Sequence, residues 1–175
     1  MVTITVSGAP GSGTTTISKL LEKKLQIKYV YAGEIFRDMA QKHNMSLEQF
    51  GAYCEKNPEI DKQLDDQQKK ILKKGNVILE GRISGWLAYR NNIAATKIFL
   101  QADLDIRVKR IVNREQGNLD ERKKEIVTRE QSEKTRYKNY YDIDLNDISV
   151  YDLVIDTSDK TPDDILTIIM KNIAS

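Results

Sequence analysis

Residues 2–21 read VTITVSGAPGSGTTTISKLL, and the glycine-rich centre of this stretch constrains the fold more than any other feature of the chain. Val2 to Val6 alternate apolar residues with threonine, which predicts a strand, and Ile17, Leu20, Leu21 and Leu25 recur at helical spacing. Between them stands the frame Gly8-x-x-x-x-Gly13-x-Thr15. A turn of this kind aims successive backbone N–H groups at an anion, the following helix adds its dipole, and the last hydroxyl can hold a magnesium ion. The position that normally carries lysine in such loops is Thr14. The backbone, the helix and Thr15 do their part without it. Gly8, Ala9, Pro10, Gly11, Ser12, Gly13, Thr14, Thr15 and Thr16 are therefore the candidate phosphate-binding residues.

The remaining elements fit one parallel sheet. Lys28–Tyr31, Asn76–Leu79, Thr96–Leu100 and Asp152–Ile155 are short runs of strand type. Helices are predicted from Gly33, after the capping box Ser46-Leu47-Glu48-Gln49, and from Pro58, with Asn57 as N-cap and Gly75 as the stop. A further helix begins near Asp103, and residues 107–138 read as two polar helices joined at Gly117-Asn118. Thr161-Pro162-Asp163-Asp164 opens the closing helix with a cap, an N1 proline and first-turn acids. Strands alternating with helices predict an α/β fold of three layers, a parallel five-stranded sheet with helices on both faces. One domain spans 1–175: a sheet core of 1–32, 75–102 and 148–175, and helical insertions at 33–74 and 103–147. Ligands of such folds bind beyond the carboxyl ends of the strands, where the unusual polar residues of this chain fall.

Composition narrows the partners. Hydrophobic residues make up 39% and charged residues 31%, as in an ordinary globular protein with a heavily charged surface. A formal net charge of +2 is too small to point to nucleic acid or a membrane as an obligatory partner. Cys54 is the only cysteine and His43 the only histidine, which excludes a disulfide framework and a Cys/His metal site; any metal must rest on oxygen ligands. No signal segment and no apolar run of membrane length is present, so the expected compartment is the cytoplasm. The expected state is a monomer.

The absent lysine leaves the terminal phosphates short of one cation. Lys19 lies five residues on, ~7.5 Å along the helix axis and on another face, and is a poor substitute. Arginine is the better supply: six of the nine arginines, Arg107, Arg110, Arg114, Arg122, Arg129 and Arg136, fall between 107 and 136. Arg107, Arg110 and Arg114 share one helix face, as do Arg129, Glu133 and Arg136, so two stripes on a helical hairpin could close over phosphates. The alternative is a solvated helix pair laced with ion pairs to Glu115, Glu121, Glu125 and Glu130. Arg107, Arg110, Arg129 and Arg136 are the candidate catalytic cations. Arg37 and Arg82 suit bidentate phosphate recognition. Glu80, at the end of a buried strand, is either a carboxylate that orients magnesium together with Thr15 or a strand-end ion pair. Asp61, Asp65 and Asp66 with Lys62, Lys69 and Lys70 read as helix-surface pairs, one of which could reach a substrate base. Trp86, Tyr137, Tyr140 and Tyr141 read as core or rim.

The motifs GAPGSGTTT, AGEIFR, LEGR, KIFLQADLDIRVKRI, REQSEKTR and YDLVIDTS run along essentially the whole chain. Together they resemble those of the nucleoside monophosphate kinases, and among these the short archaeal type of cytidylate kinase. The resemblance implies a P-loop fold with a monophosphate-binding helical region, here 33–74, and a lid, here 103–147. It implies transfer of the γ-phosphoryl group of ATP to CMP, and to dCMP, with Mg2+. Gly8 to Thr16 would hold the ATP phosphates, with Thr15 on magnesium, and Gly33, Arg37 and Arg82 would hold the monophosphate. Arg129, Glu133 and Arg136 correspond to an Arg-x-x-x-Asp-x-x-Arg pattern that touches CMP, with glutamate here in place of aspartate. Ala32 stands where many relatives place serine or threonine. GTTT is an accepted variant of the loop in the archaeal type. Residues 156–158 would pass near the adenine.

Phosphoryl transfer to a phosphate acceptor needs no covalent nucleophile and no general base, which suits a chain with one His, one Cys and many arginines. Three other readings stay open. A different acceptor, AMP, UMP or a metabolite hydroxyl, would keep the chemistry, and a hydroxyl would call on Asp65 or Glu80 as base. A non-catalytic nucleotide sensor would explain Thr14 as lost catalysis. A nucleic-acid module would use the basic 107–138 hairpin, against which the near-neutral net charge argues.

Overall fold

The alternation at the amino terminus becomes strand β1, Thr3–Gly8, whose six residues are all buried. The structure, a computed structural model, describes residues 2–173; Met1, Ala174 and Ser175, counted in the core above, lie outside the described residues. Strands β2 (Lys28–Tyr31), β3 (Val77–Glu80), β4 (Thr96–Gln101) and β5 (Leu153–Asp156) complete one sheet of order β2-β3-β1-β4-β5, parallel throughout. The register sets the strand ends side by side: Tyr31 and Val6 both align with Glu80, Gly8 with Leu100, and Gln101 with Asp156. With β1 central, its neighbours β3 and β4 lie on opposite sides, and a crevice opens at its carboxyl end.

Side chains of a strand alternate between faces, and both faces here are covered. Ile4, Val6 and Ile78 pack with Ile17 and Leu21 of helix α1 (Thr14–Leu25) and with Ile165 and Ile169 of helix α8 (Pro162–Ile173). Leu79, on the other face of β3, packs with Leu72 of helix α4 (Pro58–Lys74) and with Ile83, Trp86 and Leu87 around helix α5 (Ser84–Arg90). This is the three-layer arrangement expected. Helix α5 is an addition to the expectation. It has seven residues, five of them buried and one a glycine, so it is too short and too uniformly buried to show a period. Strands β3 and β5 also run one residue later than predicted, which carries Glu80 and Asp156 into the strands.

The two insertions have small cores of their own. Helices α2 (Ala32–Lys42) and α3 (Leu47–Cys54) enclose Ala40, Phe50 and Cys54 with Ile60 of α4. Helices α6 (Leu104–Glu115) and α7 (Leu119–Tyr141) form the predicted hairpin around Val108, Ile111 and Ile126. Its tip turns at Gln116 and Gly117, both of positive φ, and Asn118 caps α7 by accepting from the N–H groups of Asp120 (2.8 Å) and Glu121 (3.3 Å). The capping box at Ser46 forms as read, with both reciprocal bonds. Asn57 differs: its side chain donates back to the Tyr53 carbonyl at 2.8 Å rather than capping α4.

Candidate functional site

Beyond the carboxyl end of β1 lies a cleft of about 960 Å³. Residues 8–16 form its floor, with Gly13 at φ 97° as N-cap of α1. A Cβ there would meet nothing within 4 Å, so glycine serves the left-handed backbone and leaves the space in front open. No side chain caps α1, and its first-turn N–H groups and dipole are left for an anion.

Glu80 ties this floor to the sheet. Its Oε1 accepts from Thr14 Oγ1 at 2.6 Å and from Thr15 Oγ1 at 2.8 Å, and its Oε2 accepts from Tyr29 Oη. Burial, and then the bond to Glu80, raise the Tyr29 pKa well above the usual phenol range, so the phenol stays a donor. The two metal candidates, Thr15 and Glu80, are thus side by side. A hydroxyl and a carboxylate oxygen, with phosphate oxygens and water to complete the shell, fit a hard cation such as Mg2+. Among the described residues no group of three or more His, Cys, Asp or Glu forms a metal cluster, so the cation would depend on the nucleotide for its remaining ligands.

The arginines divide into three sets. Arg82 reaches across the cleft: its Nη1 donates to the Gly8 carbonyl at 2.5 Å and its Nε to Glu133 Oε2. Glu133 Oε1 accepts from Arg129 Nε at 2.9 Å, the predicted one-face spacing realised. Burial pushes the Glu133 carboxyl up, yet Arg82, Arg129 and Arg136 outweigh it and hold the pKa below the usual range. Glu133 is therefore consumed in aligning two arginines. Arg136 is 4% exposed, bonded to Asp61 Oδ1 at 2.6 Å, and lies between the Phe36 and Tyr137 rings at 5.5 and 5.6 Å. Arg110 lines the cleft and donates to Thr157 Oγ1 at 2.9 Å; Thr157 Oγ1 in turn donates to the Ser12 carbonyl at 2.9 Å.

Arg107 is placed otherwise. It does not line the cleft, and its guanidinium donates to the carbonyls of Ala102 (3.0 Å) and Pro10 (3.1 Å) and to Glu130 (2.5 Å). From beneath the phosphate loop it holds Pro10 in place, so we count it as a positioning residue and not among the cations facing a ligand. Arg114, from the same predicted stripe, does line the cleft. Arg37 lines it too, stacked on Tyr31 at 5.7 Å, and Gly33 sits where a Cβ would run into the Tyr31 ring.

The acids of α4 are the residues sequence reasoning placed wrongly. Asp66 does pair with Lys69 on the surface at 2.6 Å, but Asp61 and Asp65 are 2% and 3% exposed and line the cleft with Gln68. The available signal was their spacing: Asp61, Asp65 and Gln68 fall at i, i+4 and i+7 beside the buried Leu64 and Leu72. Tyr31, Phe36 and Tyr137 also line the cleft.

The sequence pattern of the cytidylate kinase-like family matches residues 3–159. A cytidylate kinase of Methanococcus vannielii is 47% identical over 171 residues, covering 97% of this chain and 98% of its own. Another, from Methanocaldococcus jannaschii, is 45% identical over 156 residues, 89% and 88% of the two chains. Among solved structures, a shikimate kinase from Bacteroides thetaiotaomicron superposes with a TM-score of 0.60 at 12% identity, covering 99% of each chain, a likeness of fold alone. No helix among the described residues is long and apolar enough to cross a membrane. A phosphate loop faced by arginines, at the end of a five-stranded parallel sheet, accompanies a full-length likeness of sequence, and the chain belongs to the cytidylate kinase-like family.

Proposed function

We propose that the chain transfers the γ-phosphoryl group of ATP to the phosphate of CMP, and of dCMP, giving ADP and the nucleoside diphosphate. The observation that carries this reading is Arg82, which joins Gly8 of the phosphate loop to Glu133 of α7 and so sets Arg82 and Arg129 opposite the donor phosphates. The cytidylate kinases it matches over nearly their whole length support the acceptor. Residues 1–32, 75–102 and 148–175 are the core, 33–74 the monophosphate-binding region and 103–147 the lid.

In this reading residues 8–16 cradle the ATP phosphates through backbone N–H groups. Thr15 and Glu80 would hold Mg2+, which when bound would neutralise phosphate charge. Gly33, Arg37, Arg82 and Arg129 bind the acceptor phosphate, Glu133 aligns Arg82 and Arg129, and Arg136 shapes the acceptor pocket from its pairing with Asp61. Arg110 and Arg114 bring the positive charge that lysine supplies elsewhere. The acceptor phosphate is its own nucleophile, so positioning and charge neutralisation suffice. Closure of α6 and α7 excludes water and suppresses hydrolysis of ATP. In this reading the chain is a monomer acting on small nucleotides in the cytoplasm.

The test is ADP formation from ATP with AMP, CMP, dCMP, UMP or GMP as acceptor and a control without one. Turnover concentrated on CMP and dCMP is expected. ATP binding without turnover on any acceptor overturns the reading and leaves a nucleotide sensor.

A further inference from the structure

One wall of the cleft carries more hydrogen-bond acceptors than the protein itself satisfies. Asp61, Asp65 and Gln68 share a face of α4, line the cleft, and are 2%, 3% and 6% exposed. Each keeps an oxygen without a partner: Oδ2 of Asp61, Oδ2 of Asp65 and Oε1 of Gln68. Their other atoms are committed, since Asp61 Oδ1 accepts from Arg136 at 2.6 Å and Asp65 Oδ1 accepts from Gln68 Nε2 at 3.2 Å. The Tyr141 hydroxyl acts on the charge of Asp65 as a hydrogen-bonding neighbour, though at a geometry too poor to satisfy Asp65 Oδ2 fully. A buried polar atom left without a full partner opposes folding, so three of them on one wall are retained against stability.

We propose that this wall reads the acceptor base through its exocyclic amine, admitting amino-bearing cytosine and rejecting oxo-bearing uracil at Asp61, Asp65 and Gln68. The inference rests on the assignment of CMP as acceptor. An exocyclic amine offers two N–H donors to a wall of acceptors, whereas an oxo group there faces two carboxylates. Arg136 Nε, buried and also unpartnered, is the donor left for the ring nitrogen beside the amine or the carbonyl beyond that nitrogen. Cytosine presents acceptors at both of those positions, while uracil presents an N–H at the ring nitrogen. A base rather than a sugar fits because the wall lies in the deeply buried part of the cleft and Arg129, with its side chain 40% exposed, lies nearer solvent. The flat faces of Phe36 and Tyr137, which flank Arg136, suit a planar ring.

The test is calorimetric binding of CMP, dCMP and UMP to the wild type, Asp65→Asn and Gln68→Leu. It is run at pH 8, above the value of about 7 to which burial lifts Asp65, so that this carboxylate only accepts. Asparagine keeps the shape and turns an NH2 toward the position a uracil oxygen would take. The preference for CMP over UMP is expected to fall about tenfold or more in both variants, with the ratio of CMP to dCMP unchanged. A preference within about twofold of wild type in both overturns the inference. A change confined to the CMP-to-dCMP ratio also overturns it and assigns the wall to sugar hydroxyls. Should Asp65→Asn fail to fold, Gln68→Leu decides. Binding does not require turnover, so failure to phosphorylate CMP counts against the assigned reaction, and an unmoved base preference counts against the wall.

Discussion

Thr14 occupies the lysine position of the phosphate loop, and its hydroxyl donates to Oε1 of Glu80 at 2.6 Å, the same oxygen that accepts from Thr15. A lysine placed there would meet a buried carboxylate and pair with it. Thr14→Lys is therefore expected to draw Glu80 away from Thr15 and lower kcat for CMP, where a disabled loop would instead gain from a restored lysine. The loss should be about tenfold, the worth of one hydrogen bond to a charged group. A rise in kcat, measured as ADP release, would show that threonine marks lost activity.

Glu80 also accepts a hydrogen bond from the Tyr29 hydroxyl, so removing its charge loosens three hydroxyls at once. Glu80→Gln is expected to raise the magnesium concentration needed for half-maximal turnover by roughly tenfold or more, with ATP binding in EDTA little changed. Tyr29→Phe keeps the carboxylate and should move the same titration far less. Equal effects of the two variants would place Glu80 in the fold alone.

Arg107 and Arg114 lie on one stripe of α6 but serve different ends. Arg107→Ala leaves Glu130 and the Pro10 carbonyl without their donor and is expected to cost roughly 3 kcal/mol in stability, seen as a lowered urea midpoint. Arg114 is exposed, pairs with neighbouring Glu115, and faces the cleft. Arg114→Ala should leave the urea midpoint in place and lower kcat/KM for ATP.

Glu133→Gln tests the bridge that runs from α7 through Arg82 to the phosphate loop. The carboxylate is held ionised by Arg82 and Arg129, and an amide cannot hold both. KM for CMP is expected to rise about tenfold while KM for ATP changes little. Parallel rises in both would mean that Glu133 supports the whole cleft.

Asp65 makes stability depend on pH in an unusual direction. Burial lifts its pKa to about 7 from the usual 3.8; the Tyr141 hydroxyl, Lys69 and Arg136 act against this and Asp61 reinforces it. The folded chain thus binds a proton more tightly than the unfolded one. This contribution favours folding at low pH and is lost as pH rises from about 4 through 7. Asp65→Asn should raise Tm at pH 8, where the wild type buries a charge, and the gain should shrink by pH 5.5, where that carboxyl is mostly protonated. A gain in Tm that is the same at both pH values would contradict the raised pKa.

Local signals carried a long way here. The phosphate loop, the one-face spacing of Arg129, Glu133 and Arg136, the capping box at Ser46 and the turn at Gly117 all depend on residues within one or two turns of each other, and each appears where it was expected. Helix α5 escaped because five of its seven residues are buried and leave no period to read. Asp61 and Asp65 escaped because Lys62 adjoins Asp61 and Lys69 lies one helical turn past Asp65, which suggested surface pairs, whereas the ion pair of Asp61 with Arg136, 75 residues on, faces inward.

The sequence by itself determined that a glycine-rich turn with the frame of a phosphate loop stands between the first strand and the first helix, because backbone N–H groups and a helix dipole need only the right local spacing. It also determined that arginine would gather on the α6–α7 hairpin. The tertiary structure alone decided what each arginine does: Arg107 turned beneath the loop to Pro10, while Arg82 crossed to Glu133. It alone brought Thr14 and Thr15 to Glu80, 66 and 65 residues away. Such pairings follow from how β3 lies beside β1 and how α7 packs against α3 and sends Arg136 to Asp61 of α4, and burial then fixes which charges must find partners.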